Sequence, residues 1–379
     1  DHRDLHSFPT RRSSDLAYCP GRRTLLEGVH ALEGGEELVF DGRSVSSRRF
    51  VALPTEEGEA TEEALKGALR RTLEEVVEGL LPEGEVGATL SGGIDSSLVV
   101  ALAARRRPVT ALSVTFGPEH RDELPFSGLV ARHVGARHEV VAVRPEDVRE
   151  GLDAAVAAMS TPNGDPLVVP NLLLFRAAAA LGLGVVLNGE GGDPCFGGPK
   201  NAPMLLATLY GDAAQPRARE RAYLRAHQRM WDDLDEALEP DLRPAWVSGA
   251  VEDLVAPWLE DPRRTSVLDR WMAINVAWKG AGHILPKVEH LAAAAGVVPA
   301  SPLFHRRVVE LAFRVPARWK RAGATEKYLL KEAVRDLLPA AIVDRPKSGM
   351  MVPVEAWFQG PLRAWARERL LDGLAPRRL

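Results

Sequence analysis

The chain has 379 residues, 45% of them hydrophobic and 26% charged, enough apolar material for one large or two ordinary globular domains. A formal net charge of −4 leaves no electrostatic footprint for a nucleic acid, and Arg105-Arg106-Arg107 reads as the solvated end of a helix. The two cysteines, Cys19 and Cys195, form no CxxC pair, which argues against a zinc ribbon or disulfide framework, and no apolar run is long enough to span a bilayer.

Residues 1–16, DHRDLHSFPTRRSSDL, are polar and unpatterned, and match the in-frame translation of a sequencing-library adapter. They are expected to be foreign to the fold and are set apart from it. Cys19 to Pro54 reads as short strands and turns: Leu25–Leu32, then Glu37–Phe40, a turn at Asp41-Gly42, and Val45–Val51. Residues 17–54 are too few to fold alone and read as the last hairpin of a preceding domain plus a linker. Glu56 to Glu62 is an acidic linker. Thr61 starts a helix, with Glu62 and Glu63 in its first turn and apolar residues at Leu65, Leu69, Leu73, Val76, Val77 and Leu80 in helical period.

Strands and helices then alternate. Strands are expected at Val86–Leu90, Val109–Phe116, His138–Val143 and Gly184–Leu187. Helices are expected at Ser97–Arg107, Phe126–Val134, Glu146–Met159 and Pro170–Leu181. Continuous rather than alternating apolar strands predict an α/β fold with a parallel sheet covered by helices on both faces. Ligands in such folds sit at the carboxyl ends of the strands. From Pro203 to Leu379 the pattern is nearly all helical, interrupted by prolines such as Pro257, Pro286, Pro299 and Pro316.

Three clusters carry chemistry. The first, Ser91-Gly92-Gly93-Ile94-Asp95-Ser96-Ser97, lies between a strand and a helix, where backbone N–H groups and a helix N-terminus meet phosphate. It lacks the Gly-Lys-Ser/Thr of the P-loop and carries instead the Ser-Gly-Gly-x-Asp-Ser signature of the pyrophosphatase-type loop. Ser91, Gly92, Gly93, Ser96 and Ser97 offer donors, and Asp95 is expected to hold Mg²⁺; the bland alternative is Asp95 as the helix N-cap. The second cluster, Asn188 to Gly198, sets Glu190 and Asp193 among five glycines after another apolar strand. Asp193 is placed to share the metal with Asp95, and Glu190 to work on the substrate or incoming amine; otherwise this is an acidic loop. The third, Asp344 to Met350, is a basic turn whose Lys347 could oppose charge building on an α-phosphate; alone, it would read as a surface turn.

Together the clusters resemble the synthetase domain of the glutamine-dependent asparagine synthetase family, from about Glu62 to the end. The family pattern is Ser-Gly-Gly-Leu/Ile-Asp-Ser-Ser, Gly-Glu-Gly-x-Asp-Glu-x-Phe-Gly-Gly and Arg-x-Lys-x-Gly. It is matched at Ser91–Ser97, at Gly189–Gly198 with Pro194 in place of Glu, and at Arg345–Gly349. Asp122-Glu123, His138-Glu139 and Glu326 to Glu332 are also family-like. The resemblance implies a PP-loop fold of the adenine nucleotide alpha hydrolase type over residues 55–379, with ATP and Mg²⁺ as cofactors. By position, Leu90 and Val114 would line adenine and ribose, and Asn188 and Gly189 would touch the nucleotide through the backbone. Asp95 and Asp193 would hold Mg²⁺, Glu190 would act near the amine, and Lys347 would stabilise the transition states.

The implied activity is an ATP-dependent, AMP-forming amide ligase acting on a small-molecule carboxylate and ammonia or an amine, with asparagine synthesis from aspartate as the leading reading. A β-lactam synthetase or macrolactam cyclase of the same superfamily, a non-catalytic ATP-binding module and a sulfur-transfer enzyme are the alternatives. The family places a glutaminase domain with an N-terminal cysteine before the synthetase; residues 17–54 resemble its last strands, and Cys19 is not that nucleophile. Cys195 reads as an apolar filler. Cytoplasmic location, no nucleic acid, no membrane and a homodimer are the remaining expectations. One departure is marked: Ala300 to His305 stands where the family has Arg-x-Pro-Phe-Leu-Asp.

Overall fold

The computed structural model describes residues 16–26, 28–55, 60–120, 122–198, 204–206, 217–227, 251–347 and 349–372. Residues 1–15 of the segment set apart, residues 56–59 of the acidic linker and Ser348 of the basic turn lie outside the described residues. Leu16 is described, and it is buried in the core beside Tyr18.

A twisted hairpin, β1 (Glu36–Phe40) and β2 (Val45–Arg49), forms its own antiparallel sheet. Its turn is set by Asp41, whose carboxylate accepts from the Arg43 and Ser44 N–H groups at 2.8 Å each. The strand expected over Leu25–Leu32 is absent among the described residues: Arg23 and His30 pair only as an isolated bridge. Helix α1 (Glu62–Leu80) begins where its cap predicts, with Thr61 Oγ1 accepting from Ala64 N–H at 3.3 Å. The apolar stripe Leu65, Leu69, Leu73, Val76 and Val77 is buried.

The central sheet then builds strand by strand: β3 (Val86–Thr89), α2 (Ile94–Ala104), β4 (Val109–Thr115), α3 (Leu124–Val134), β5 (Arg137–Ala142), α4 (Pro145–Ala158), α5 (Val168–Ala180) and β6 (Val185–Leu187). All its pairings are parallel, and the strand order is β5-β4-β3-β6-β7. The fifth strand, β7 (Val298–Ala300), comes from the half read as helical. Three residues containing Pro299 give no strand signal, and proline is tolerated there because β7 is an edge. Two apolar clusters cover the sheet: one takes α1, α2 and the C-terminal helices, the other α4, α5 and the Trp357–Leu362 region.

Beyond β6 lie the short α6 (Gly192–Phe196), α7 (Ala218–His227), α8 (Glu252–Leu259) and α9 (Val267–Ile274). A wide π-type stretch, Asn275–Ile284, runs on into α10 (Leu285–Ala294). After β7 come a 3₁₀ turn at Pro302–Phe304, α11 (Arg306–Arg314) and a two-residue strand pair, Arg321–Ala322 with Thr325–Glu326. Helix α12 (Tyr328–Val334) follows directly. Among the described residues no helix is long and apolar enough to cross a membrane.

Candidate active site

Chain order reverses between β3 and β6: β3 leads to β4 and β5 on one side, β6 to β7 on the other. A crevice opens at the carboxyl ends of such neighbouring strands, and both glycine-rich loops lie there. Helix α2 begins at Ile94, three residues earlier than expected, with Gly93 at the N-cap. Asp95 therefore lies in the first turn and does not cap the helix. Gly92 has φ +77, and a Cβ on it would stand 2.6 Å from Phe126 Cβ, so this position demands glycine. Serines knit the loop: Ser96 Oγ accepts from Ser91 N–H at 3.1 Å, and Ser91 Oγ accepts from Gly93 N–H at 3.3 Å. The Ser97 N–H donates to the Gly93 carbonyl at 3.0 Å, and its hydroxyl is buried without a hydrogen-bond partner.

The second loop packs directly on the first. A Cβ on Gly189 would lie 2.4 Å from Ser96 N, and one on Gly192 would lie 2.1 Å from Asp95 Oδ1. The glycine density that suggests a loop wrapping a ligand thus has a packing cause as well. Asn188 N–H donates to the Ala300 carbonyl at 2.9 Å, and Asn188 Oδ1 accepts from Glu190 N–H at 3.0 Å. The Asn188 N–H is therefore committed to β7, while its buried Nδ2 has no hydrogen-bond partner.

Two lysines converge on the two loops. Lys327 Nζ lies 2.5 Å from Asp95 Oδ2 and 2.5 Å from Asp193 Oδ1. Lys347 Nζ lies 3.2 Å from Asp95 Oδ2 and 3.7 Å from Asp193 Oδ2. Burial works against ionisation of Asp193, but the Lys327 and Lys347 charges outweigh it and hold the carboxyl well below the usual carboxylate range. Burial likewise opposes the Lys347 ammonium, and Asp95 and Asp193 push it above the ordinary lysine value. The turn carrying Lys347 is pinned by Arg345, which pairs with Glu123 at 2.9 Å, stacks 3.6 Å from the Phe126 ring centroid and reaches the Gly92 carbonyl at 3.4 Å. Glu326 accepts from the Lys347 N–H at 3.3 Å.

The basic turn, both glycine loops, Asp95, Asp193, Glu190 and Lys347 are thus brought together. Leu90 and Val114 are not brought together through their side chains, because they point to opposite faces of the sheet and join different apolar clusters. The Leu90 N–H and carbonyl are bonded to Leu112 and Ser113, whereas Val114 lines a narrow cleft with Asp122, Glu123 and Met350. The sequence places Lys327 within the family-like stretch Glu326 to Glu332 but gives it no role. Its signal was a lysine beside Glu326 in a stretch leading to the buried Leu329 and Leu330, where an exposed charge would be out of place.

Among the described residues no cluster of three or more His, Cys, Asp or Glu can hold a metal unaided. Magnesium is usually taken by one or two carboxylates plus substrate phosphates. Asp95 and Asp193, with Asp95 Oδ1 buried and lacking a hydrogen-bond partner, fit that mode.

Residues 68–378 match the family described as Asparagine synthase. The chain belongs to the asparagine synthase family. A putative glutamine-hydrolysing asparagine synthetase of Mycobacterium tuberculosis H37Rv is 29% identical over 97% of this chain and 60% of its own length. Asparagine synthetase 1 of Bacillus subtilis is 24% identical over 92% of this chain and 60% of its own length. A carboxyethyl-arginine β-lactam synthase of Streptomyces clavuligerus is 25% identical over 92% of this chain and 55% of its own length. The chain therefore spans about 60% of the length of the curated asparagine synthetases it matches. Among solved structures, a U34-tRNA thiolase of Methanococcus maripaludis covers 79% of this chain and 89% of its own at 13% identity and a TM-score of 0.31, an overlap too slight to argue from.

Within this asparagine synthase family member, the Ala300 to His305 departure lies against the site. Ala300 accepts the Asn188 N–H, and a Cβ on Gly191 would stand 2.8 Å from the Leu303 carbonyl carbon. Cys195 is fully buried in α6, and burial pushes its thiol up to about 12, as an inert filler requires.

Proposed function

We propose that the chain is an ATP-dependent ligase that adenylates a carboxylate and passes the acyl group to ammonia or an amine, with aspartate and ammonia as the leading substrates. The observation that supports this best is the convergence of Lys327 and Lys347 on Asp95 and Asp193 beside the Ser91–Ser97 loop. Four opposed charges at a helix N-terminus suit a polyphosphate whose α-phosphorus is being attacked. In the first half-reaction a carboxylate oxygen bonds to the α-phosphorus and pyrophosphate leaves. In the second, the amine nitrogen bonds to the acyl carbon, AMP leaves, and one amine proton goes to a base.

In this reading the loop and the α2 N-terminus hold the departing pyrophosphate, with Lys327 beside it. Lys347 offsets charge on the α-phosphate in both half-reactions. Glu190, in the same loop as Asp193, takes the amine proton. Magnesium, when bound, would be held by Asp95 and Asp193 and would neutralise phosphate charge. A second reading, intramolecular closure of a β-lactam or macrolactam, is favoured by the Ala300 to His305 departure and by the β-lactam synthase relative.

The test is ATP–pyrophosphate exchange with a panel of acids. Exchange that needs ATP, Mg²⁺ and one acid supports the ligase; with ammonia or a candidate amine present, the product separates the two readings. ATP binding with neither AMP nor pyrophosphate formed from any acid would overturn the proposal in favour of a non-catalytic ATP-binding module.

A further inference from the structure

The π-type stretch Asn275–Ile284 packs against α6 and carries Lys279. Wide helical turns of this kind are rare and concentrate at functional sites. Its backbone is fixed there: a Cβ on Gly280 would stand 2.9 Å from the Phe304 ring, and Phe304 follows Leu303, on which Gly191 of the second loop packs. Lys279 is half-buried and makes no ion pair within 4.0 Å with any described residue. Burial and Lys287 hold its pKa below the ordinary lysine value, and the Asp193, Glu190 and Asp165 charges act the other way.

Two of those carboxylates are already committed, Asp193 to Lys327 and Lys347, and Asp165 to Lys287 at 2.7 Å. Glu190 is not; it too makes no ion pair with a described residue. Lys279 and Glu190 are thus a cation and an anion that form no ion pair with each other or with any other described residue. An ammonium carries three donors and no acceptor, and leaving it half-desolvated without a partner is costly. That cost is recovered when an anion arrives.

We propose that Lys279 is a specificity-determining residue that binds the non-reacting carboxylate of the acid substrate, the other carboxylate being the one that is adenylated. This rests on the ligase reading of the same site. Lys347 and Lys327 are engaged with the two aspartates at the phosphate loop, so the second anionic group of a dicarboxylate must find its counter-charge elsewhere, and Lys279, on the stretch packed against α6, is a cation that pairs with no described residue.

The experiment uses the full chain with Mg²⁺ and measures ATP–pyrophosphate exchange with L-aspartate, L-glutamate, succinate, N2-(2-carboxyethyl)arginine and the monoacid β-alanine. A dicarboxylate is expected to support exchange with a lower KM than β-alanine. Lys279→Met is expected to raise the KM for that diacid about 10- to 100-fold, the worth of one charge-assisted contact. The KM for ATP should stay within about twofold, and Lys279→Arg should recover most of the loss, which a merely structural role would not do. An unchanged diacid KM in a folded Lys279→Met, an equal rise for β-alanine, or exchange confined to β-alanine would overturn this proposal while leaving the ligase intact. No exchange with any acid in the unaltered chain would overturn the ligase reading and this proposal with it.

Discussion

Replacing Lys327 by Met tests the electrostatic centre of the site. The side chain is fully buried, and its ammonium bridges Asp95 and Asp193 at 2.5 Å each. Methionine keeps the volume and removes the charge, leaving the buried Asp95 with only Lys347 at 3.2 Å. Breaking a buried ion pair from one side costs about 3–5 kcal/mol, and the remaining lysine holds the loss to about 3. At about 2.1 cal/mol/K per residue, a chain of 379 residues unfolds with about 0.8 kcal/mol/K, so Tm at pH 7 falls by about 4 °C. The sign with pH follows from Asp193, whose folded pKa is depressed. Its pairing stabilises the fold above the unfolded carboxylate value, about 3.9, and that contribution is lost as pH falls through the lower folded value. The gap between the two proteins should therefore close in acid. Millimolar Mg²⁺ should stabilise the variant more than the unaltered chain, because a dication can replace the missing ammonium, and pyrophosphate exchange should drop by about 100-fold or more. Scanning calorimetry at several pH values and Mg²⁺ concentrations reads the stability changes, and the ATP–pyrophosphate exchange assay reads the activity. A Tm within about 1 °C of the unaltered chain at pH 7, with exchange retained, would refute the reasoning.

Asp193→Asn should lower adenylation sharply and also lower Tm at pH 7, since it removes one of the two carboxylates that offset the Lys327 and Lys347 charges; an unchanged Mg²⁺ dependence of exchange would contradict its assignment. Gly192→Ala places a methyl where Asp95 Oδ1 now lies, 2.1 Å away, so the carboxylate must move; exchange should fall steeply in a protein with a near-native circular dichroism spectrum. For Asp165, burial raises the pKa but Lys287 prevails and sets it at about 2. Asp165→Asn should cost about 2 kcal/mol at pH 7 in urea unfolding, with the difference fading between pH 4 and 2 as the unaltered carboxyl protonates. Cys195 should resist iodoacetamide in the folded chain at pH 8 and react only on unfolding, which mass spectrometry of the alkylated peptide will show.

Much of this architecture is legible in the sequence because its signals are local. Thr61 followed by a helical stripe announces α1, and the apolar runs before Ser91 and Asn188 announce β3 and β6. Where the signal is weak, the reading fails in a definite way. β7 is three residues with a proline, and it exists because Val185 to Leu187 offer an edge to pair with. The helix starts three residues before the expected Ser97 because the backbone turns at Gly93, whereas Asp95 has the chemistry of a cap. The local pattern around Lys327 does not reveal its role, since its partners lie 232 residues earlier at Asp95 and in α6 at Asp193.

The residues themselves determined that a strand, a glycine turn and a helix would meet phosphate at Ser91–Ser97, and that two further clusters carried acids and a lysine of matching chemistry. Short-range propensity and side-chain chemistry suffice for that. Only the tertiary structure decided that the glycines of the second loop are needed to admit Asp95 and Ser96, that Leu90 and Val114 face away from each other, and that Lys327 closes the charge balance while Lys279 and Glu190 pair with no described residue. Steric fit and Coulomb energy depend on distances between segments far apart in the chain, and only the folded chain sets those distances.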